Sequence, residues 1–422
     1  MDVSIWIEKL LASFENCEVA TIIKLIKEPK ITNVREDIIG MKVAQIIDDE
    51  DDQKNFTEFA FNLANYLILE KSQMEILKAF SFLDTAIRRY MTFYRSSVVS
   101  GSWSIKLIET FCKMISNIAY PAENKYQKVK EETKDVAESP LKMAKTCLEN
   151  IFSKCQIIKE QFPDSRKMGA FYAVIHVCEM YFKEGKFRMC LRFIDWVNKM
   201  QDGFEHLPDY VKSSYYYYEG LLYLFRYKYL ESEKSMNLSV KNCTKEKDKF
   251  FRNIQLYFIP LNMMLGIFQE EEMLEKFNFP YYIQISKACQ EGSLGMFEAE
   301  MAKYENKFLK IGIFLFMEKL KNIVLRNLFK KAYEANQSNH INQIETLVDQ
   351  YNKSLEDVKS EDYTVDEYDK VDKIGMECIL SGLIYKGYIK GYISNEKSIL
   401  VLSKKEPFPE LRAVVETNGH NI

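Results

Sequence analysis

The chain has 422 residues and a formal net charge of −3, so no overall positive charge draws it to nucleic acid or to an anionic membrane. Its 47% hydrophobic and 14% aromatic content excludes a disordered chain. The low counts of 15 Gly and 9 Pro disfavour an all-β fold, which needs many turns. The composition predicts a mainly α-helical protein, long enough for two or three domains or for one helical array.

The nine cysteines are scattered, without a C-x-x-C pair or histidines at zinc spacing, which indicates thiols kept in a reducing compartment. The first residues, MDVSIWIEKLL, lack the basic and long apolar regions of a secretory signal, so we do not expect secretion. The longest apolar stretch, 257–268, is shorter than the roughly 20 residues of a membrane helix, so we expect no membrane insertion. These features favour a nuclear or cytoplasmic location.

Residues 1–140 are predicted to form an N-terminal helical region, because apolar residues recur there at helical spacing, as in Phe59, Leu63 and Tyr66. The region ends in PAENKYQKVKEETKDVAESP, 121–140, which is bounded by prolines and nearly free of large apolar residues. The bounding prolines favour an exposed linker over a solvated helix.

Residues 141–310 contain a pattern that recurs at an offset of 42. A small residue at one position lets two antiparallel helices approach, as in tetratricopeptide repeats. The offset of 42 is longer than the usual tetratricopeptide length of about 34 residues. The pattern predicts helical hairpins stacked into a solenoid. The matched positions are Cys178, Tyr181, Phe187, Cys190 and Ile194 in the first copy, and Gly220, Tyr223, Tyr229, Ser232 and Met236 in the second.

Four consecutive tyrosines at 215–218 raise the hypothesis of base stacking. Consecutive residues point around the whole circumference of a helix, so at most two of these rings could face one ligand. Core or partner packing is therefore the preferred role for Tyr216 and Tyr217.

From residue 311 to 410 the pattern predicts three helices and two short strands, followed by a tail at 411–422. The first helix should span about 22 residues, and the second has an apolar face that begins at Ile341. Thr364 and Glu367 form a capping box that opens the third helix, and Gly387 stops it. Apolar and polar residues then alternate, as in a β-hairpin. Three helices and a terminal hairpin predict a winged helix.

Local charge leaves two interpretations of this module open. Residues 303–331 contain eight Lys or Arg and two Glu, and residues 386–405 contain five Lys and one Glu, which favours nucleic-acid contact. Lysines on solvated faces are ordinary, however, and acids at the start of the third helix, including Asp366, Asp369 and Asp372, would repel phosphate. The scarcity of Arg disfavours base-specific recognition.

The helical repeats followed by a winged helix resemble the PCI domain, a module shared by the proteasome lid, the signalosome and an initiation factor. The resemblance covers about residues 165–412, and is carried by ACQEGSLGMFEAEMAKYENKFLKIGIFLFMEKLKNIVLRNLFKKAY at 288–333 and CILSGLIYKGYIKGYIS at 378–394. The segments YYYYEG at 215–220 and YFIPLNMMLG at 257–266 resemble one branch of this family. That branch holds the PCI subunit of the nuclear transcription and mRNA export (TREX-type) complex and its signalosome-associated paralogue.

This resemblance implies a non-enzymatic adaptor at the nuclear pore that uses no cofactor. Its implied partners are a larger scaffold with its own PCI-like winged helix, and a small acidic disordered subunit shared with the proteasome lid. The two winged helices would form a basic platform for RNA or DNA without sequence preference. The alternative is a protein-binding subunit of a signalosome-type or lid-type complex that binds no nucleic acid.

The residues expected on the platform are basic side chains of the winged helix, with packing as the alternative role for those in LRNLFKK at 325–331. They are Lys319, Lys321, Arg326, Lys330, Lys331, Lys386, Lys390 and Lys397. The residues expected to contact partners are Tyr216, Tyr217, Tyr257, Tyr388 and Tyr392.

The sequence predicts no enzyme and no metal site. The G-x-x-x-x-G pattern at 382–387 follows a helix and is not followed by Lys and Ser or Thr, so it is not a phosphate-binding loop. With only four histidines in the chain, no nucleophile, base and acid fall into a recognisable set.

Overall fold

The computed structural model describes residues 2–28, 31, 34–70, 75–94, 101–133, 138–243, 249–336, 339–356 and 369–418. They form two compact units, Met1–Lys212 and Ser213–Ile422. The two units differ from the predicted domains and do not test their limits, so the limits at 140, 310 and 410 stay predictions.

The first unit is helical, and its N-terminal part packs around a cluster of aromatic rings. Phe59 and Tyr90 are fully buried at the centre of this cluster, with their ring centroids 5.4 Å apart. The helices are α1 (Val3–Glu15), α2 (Val19–Lys27), α3 (Glu36–Val43), α4 (Glu50–Leu69), α5 (Ile76–Phe93), α6 (Ile105–Thr133), α7 (Pro140–Gln156), α8 (Gly169–Lys183), α9 (Leu191–Lys199) and α10 (Gln201–Glu205).

The second unit continues the helices and adds a small sheet. Helix α11 (Asp209–Phe225) leads into it. The remaining helices are α12 (Tyr229–Asn242), α13 (Lys249–Met264), α14 (Glu271–Lys276), α15 (Pro280–Glu291), α16 (Leu294–Ile311), α17 (Phe314–Lys319), α18 (Lys321–Ala335), α19 (Ile344–Glu356), α20 (Lys373–Tyr385) and α21 (Leu411–Asn418). The strands are β1 (Ile341–Gln343), β2 (Gly391–Ser394) and β3 (Ile399–Leu402).

The linker prediction for 121–140 is wrong as far as residue 133, because α6 runs through Pro121 to Thr133. Pro121 lacks a backbone N–H and leaves one helical carbonyl without its usual partner, yet the helix continues. Just after this proline, the Glu123 carboxylate accepts hydrogen bonds from Ser139 Oγ at 2.6 Å and from the Leu141 N–H at 3.1 Å. This segment is therefore a solvated helix that contacts the start of α7.

The 42-residue repeat corresponds to one contact made twice. Cys190 Sγ approaches the carbonyl of Cys178 at 4.0 Å, and at the matched positions Ser232 Oγ donates to the carbonyl of Gly220 at 2.7 Å. A Cβ at Gly220 would lie only 3.0 Å from Met236 Cγ, so the glycine lets α11 and α12 approach closely. The helical hairpins predicted from this spacing are confirmed.

The winged helix has the predicted order with two differences. The first helix breaks at Leu320 into α17 and α18, and a strand, β1, precedes α19. The antiparallel sheet therefore has three strands in the order β1-β3-β2, with Ile341 opposite Val401 and Tyr392 opposite Val401 on the other side. Ile341 thus belongs to the sheet and not to the second helix.

The third helix of the winged helix is short. The capping box of Thr364 and Glu367 lies outside the described residues, and α20 begins at Lys373, where Asp372 Oδ1 accepts from the Gly375 N–H at 2.8 Å. The helix ends before Gly387, whose φ of +81° is the left-handed conformation that favours glycine.

The last described residues fold back onto the second unit. The Arg412 guanidinium donates to both carboxylate oxygens of Glu233 on α12, at 3.0 and 2.8 Å. A Cβ at Gly266 would lie 3.2 Å from Leu411 Cβ, so this glycine makes room for α21. We call Glu233, Gly266, Leu411 and Arg412 the C-terminal clasp.

Candidate nucleic-acid and partner interface

Arg326 lies in the interior of the winged helix and not on its surface. The residue is 7% exposed, and its guanidinium donates to the carbonyls of Phe408 at 3.0 Å and Pro409 at 2.6 Å. Burial lowers the pKa of this guanidinium. The hydrogen bonds to the two carbonyls fix its position. As a nucleic-acid contact, Arg326 is corrected to a packing residue that anchors the chain after β3.

Three of the predicted platform lysines lie beside carboxylates. Lys321 Nζ is 2.5 Å from Glu298, Lys390 Nζ is 2.5 Å from Glu406, and Lys330 Nζ is 3.8 Å from Glu334. Burial acts to lower the pKa of Lys321, but Glu298 more than offsets this and the pKa is raised. Neutralised charges attract phosphate weakly, so these three lysines are poor primary contacts.

Lys319 and Lys386 form a cationic cluster at the junction of α17 and the end of α20. Lys386 Nζ donates to Asn322 Oδ1 at 3.2 Å, and Asn322 Nδ2 in turn donates to the Lys319 carbonyl at 3.0 Å. The Lys319 ammonium lies 3.9 Å from the centroid of the Tyr227 ring, in a cation–π contact. Burial lowers the pKa of Lys319, and the charge of Lys386 lowers it further.

The remaining platform lysines are on the surface. Lys331 is exposed near the end of α18, and Lys397 is exposed in the turn between β2 and β3. Lys404 and Lys405 are also exposed, directly after β3. The structure thus brings some predicted residues to the surface of one winged helix and takes others away from it.

The five predicted partner-binding tyrosines divide in the same way. Tyr388 is fully buried with its hydroxyl 3.6 Å from Met264 Sδ, and Tyr217 is 8% exposed, so both are corrected to core residues. The Tyr257 hydroxyl donates to the Ile311 carbonyl at 3.1 Å, and this residue and Tyr216 are half-buried. Tyr392, on β2, is 62% exposed.

An apolar groove between α20 and β2 was missed by the sequence analysis. Its volume is about 940 Å³. Large side chains on its walls are unusually exposed: 69% for Ile374, 71% for Tyr385 and 62% for Tyr392. The signal was present in the sequence, because Ile374, Cys378, Ser381 and Tyr385 follow helical spacing on a face opposite to the buried one. We call it the α20–wing groove, lined by Ile374, Glu377, Cys378, Tyr385, Tyr392 and Ile393.

The comparisons with known proteins identify the family of this fold. A model of the PCI domain matches residues 301–404. The PCI domain-containing protein 2 of Danio rerio is 32% identical over 297 residues, which cover 69% of this chain and 70% of that protein. The chain belongs to the PCI-domain family. A PCI domain-containing protein 2 of Xenopus laevis is 27% identical over 394 residues, 92% of each chain. The Protein CSN12 homolog of Gibberella zeae is 26% identical over 272 residues, 62% of this chain and 59% of that protein.

The PCI match begins within α16 and ends just after β3, so it coincides with the last repeat helix and the winged helix. Membership of the PCI-domain family supports a scaffold role in protein interactions. Within the described ranges, every helix is too short or too polar to cross a bilayer. The described side chains also contain no group of three or more His, Cys, Asp or Glu placed to hold a metal ion.

Proposed function

We propose that this PCI-domain protein is a non-enzymatic scaffold and nucleic-acid-binding subunit of a nuclear-pore-associated mRNA export complex. The observation that carries the proposal is the cationic cluster of Lys319 and Lys386, two neighbouring cations on the winged helix of a chain with a net charge of −3. RNA or DNA phosphates would bind there and at the exposed Lys331 and Lys397 without sequence preference.

The proposed mechanism depends on a second winged helix. A few exposed lysines bind phosphate weakly and with strong dependence on salt. A larger scaffold partner with its own PCI-like winged helix would place further cations beside this cluster and raise the effective concentration of basic surface. A small acidic disordered subunit, shared with the proteasome lid, is the other proposed partner.

The test is the salt dependence of oligonucleotide binding. Labelled single-stranded RNA is titrated with the full chain, alone and with the scaffold, at several salt concentrations. Lys319→Glu/Lys386→Glu should weaken binding and reduce the slope of log affinity against log salt by about 1.4, at about 0.7 for each phosphate that is no longer neutralised. The matched control is Lys78→Glu/Lys142→Glu, which reverses two side chains that are 71% and 70% exposed in the first unit. Equal effects of the two pairs would overturn the proposal.

A protein-binding subunit of a signalosome-type or lid-type complex is the second candidate function. The carboxylates beside Lys321, Lys330 and Lys390 favour it, because they neutralise part of the predicted platform. Affinity purification separates the two functions: recovery of signalosome subunits without an export scaffold would support the second.

A further inference from the structure

The face of α20 exposed in the α20–wing groove is unsuited to the major groove of a duplex. The helix reads KIGMECILSGLIY, so Lys373 and Glu377 are its only charged residues and it contains no Arg, Asn or Gln. Direct recognition of base pairs in a major groove relies mainly on Arg, Lys, Asn and Gln, with further contacts from Glu, Asp, Ser and Thr, and of all these types α20 contributes only Glu377 and Ser381 to the lining of the groove. This helix instead presents Ile374, Cys378 and Tyr385 to solvent.

The two exposed tyrosines suit unpaired bases. Tyr385 and Tyr392 line the same groove from opposite walls, one on α20 and one on β2, and they are 71% and 62% exposed. Every nucleobase has a π-face, so stacking on aromatic side chains holds single strands with little sequence preference. The bases of an intact duplex are already stacked on one another and cannot reach these rings.

Lysines lie at both ends of the groove, and the exposed Asp372 and Glu396 are next to the two lysines at its N-terminal end. Lys373 contacts Ser398 Oγ at the N-terminal end of α20, next to the exposed Lys397. Lys386, of the cationic cluster, follows Tyr385 at the C-terminal end. Ile374 and Tyr385 are eleven positions apart, about 17 Å along a helix, which leaves room for more than one nucleotide. Among the described residues that line the groove Glu377 is the one carboxylate, so phosphates would lie on the rim and not on its floor.

We propose that the α20–wing groove is a binding site for single-stranded nucleic acid, in which unpaired bases stack on Tyr385 and Tyr392 while phosphates contact Lys373, Lys386 and Lys397. The inference rests on the proposed function, and it adds that the ligand is a single strand and that bases contribute to affinity. The two exposed rings, with lysines at both ends of the groove, favour a single strand over an apolar protein segment, and the carboxylates of Asp372, Glu377 and Glu396 limit the contribution of charge.

The experiment compares stacking with charge in the full chain. Fluorescence anisotropy with a 12-nucleotide RNA, the same DNA strand and the 12-base-pair duplex is measured for Tyr385→Ala/Tyr392→Ala. We expect single-strand affinity to fall at least about tenfold, from the loss of two stacked bases, with duplex affinity and the salt slope unchanged. Tyr385→Phe/Tyr392→Phe keeps the rings and should bind like the wild type, which controls for folding. Glu377→Gln should tighten single-strand binding about twofold, because it removes repulsion.

The outcomes distinguish this inference from the proposed function. If the alanine pair binds single strands normally while Lys319→Glu/Lys386→Glu binds poorly, the stacking site is wrong and the proposed function stands. If the alanine pair loses the scaffold in a reconstitution but keeps its affinity for RNA, the groove is a protein-docking site and the inference is overturned. If the wild-type chain binds no oligonucleotide, alone or with the scaffold, both fail.

Discussion

Replacement of Arg326 by Met tests whether this residue stabilises the winged helix or binds phosphate. Met keeps most of the apolar stem but removes the donors to the carbonyls of Phe408 and Pro409. Hydrogen bonds to charged groups contribute about 1.5–3 kcal/mol each, so we expect a loss of about 3 kcal/mol or more. The destabilisation should be confined to the segment that contains Phe408 and Pro409 and to the residues that this segment contacts. One of them is Lys390, whose N–H donates to the carbonyl of the preceding Pro407 at 2.8 Å.

Hydrogen exchange followed by mass spectrometry measures this effect in the full chain. A loss of about 3 kcal/mol corresponds to roughly 100-fold faster exchange of the amides that open with this segment, at 1.4 kcal/mol for each factor of ten. Peptides that cover 390–412 should show it, and peptides from α4 and α5 should not. Lys330→Met, one turn further along α18 on a side chain that is 45% exposed, is the matched control and should change little. Unchanged exchange together with a reduced salt slope of RNA binding would refute the packing role and restore Arg326 as a phosphate contact.

Three further predictions concern stability and thiol chemistry. In Gly292→Ala, at a φ of +65°, the new Cβ would lie 2.4 Å from the Leu328 backbone nitrogen, so the free energy of unfolding should fall by at least about 3 kcal/mol. Gly312→Ala, at a φ of +80° with nothing within 4 Å of the new Cβ, should lower it by only about 1 kcal/mol. Equal melting temperatures of the two variants would contradict this prediction. Burial acts to raise the pKa of Glu179, but His176 and Lys183 lower it to about 2 from an ordinary 4.5. Its stabilisation is therefore present above about pH 4.5 and lost as the pH falls towards 2. In urea titrations Glu179→Gln should cost about 2 kcal/mol at pH 6 and little near pH 2, and equal costs at both would argue against the ion pair. A thiol reagent should label the exposed Cys17 and Cys378 quickly in the native chain, and buried thiols such as Cys112, whose pKa burial raises, only after unfolding; rapid labelling of Cys112 would show that the core is open.

Local patterns predicted the features of the fold that depend on local contacts. The 42-residue offset located two helical hairpins because the small residue and its partner lie only twelve positions apart in each, at Cys178 and Cys190 and at Gly220 and Ser232. The winged helix was predicted because the spacing of apolar residues changes from helical to alternating after Gly387. Strand β1 was missed because three residues give no period, and its partner β3 lies about sixty residues away.

The candidate site was harder to predict because burial is set by distant residues. Nothing near Arg326 in the sequence indicates that Phe408 and Pro409 supply its hydrogen-bond acceptors, 82 and 83 positions away. The same holds for Tyr388, whose hydroxyl lies against Met264. Helix α6 continues through Pro121 despite the expected break, and Glu123 contacts the start of α7, a tertiary contact that no propensity includes.

The C-terminal clasp affects how pieces of this protein should be designed. The family match stops at residue 404, whereas the clasp requires Leu411 and Arg412 at one end and Glu233 and Gly266 at the other. A recombinant fragment cut at the family limits, 301–404, would lack α21 and also Glu233 and Gly266, so it would contain neither side of the clasp. The smallest stable fragment should instead begin before α12 and extend through residue 418, so the folding unit is longer than the sequence signature that identifies it.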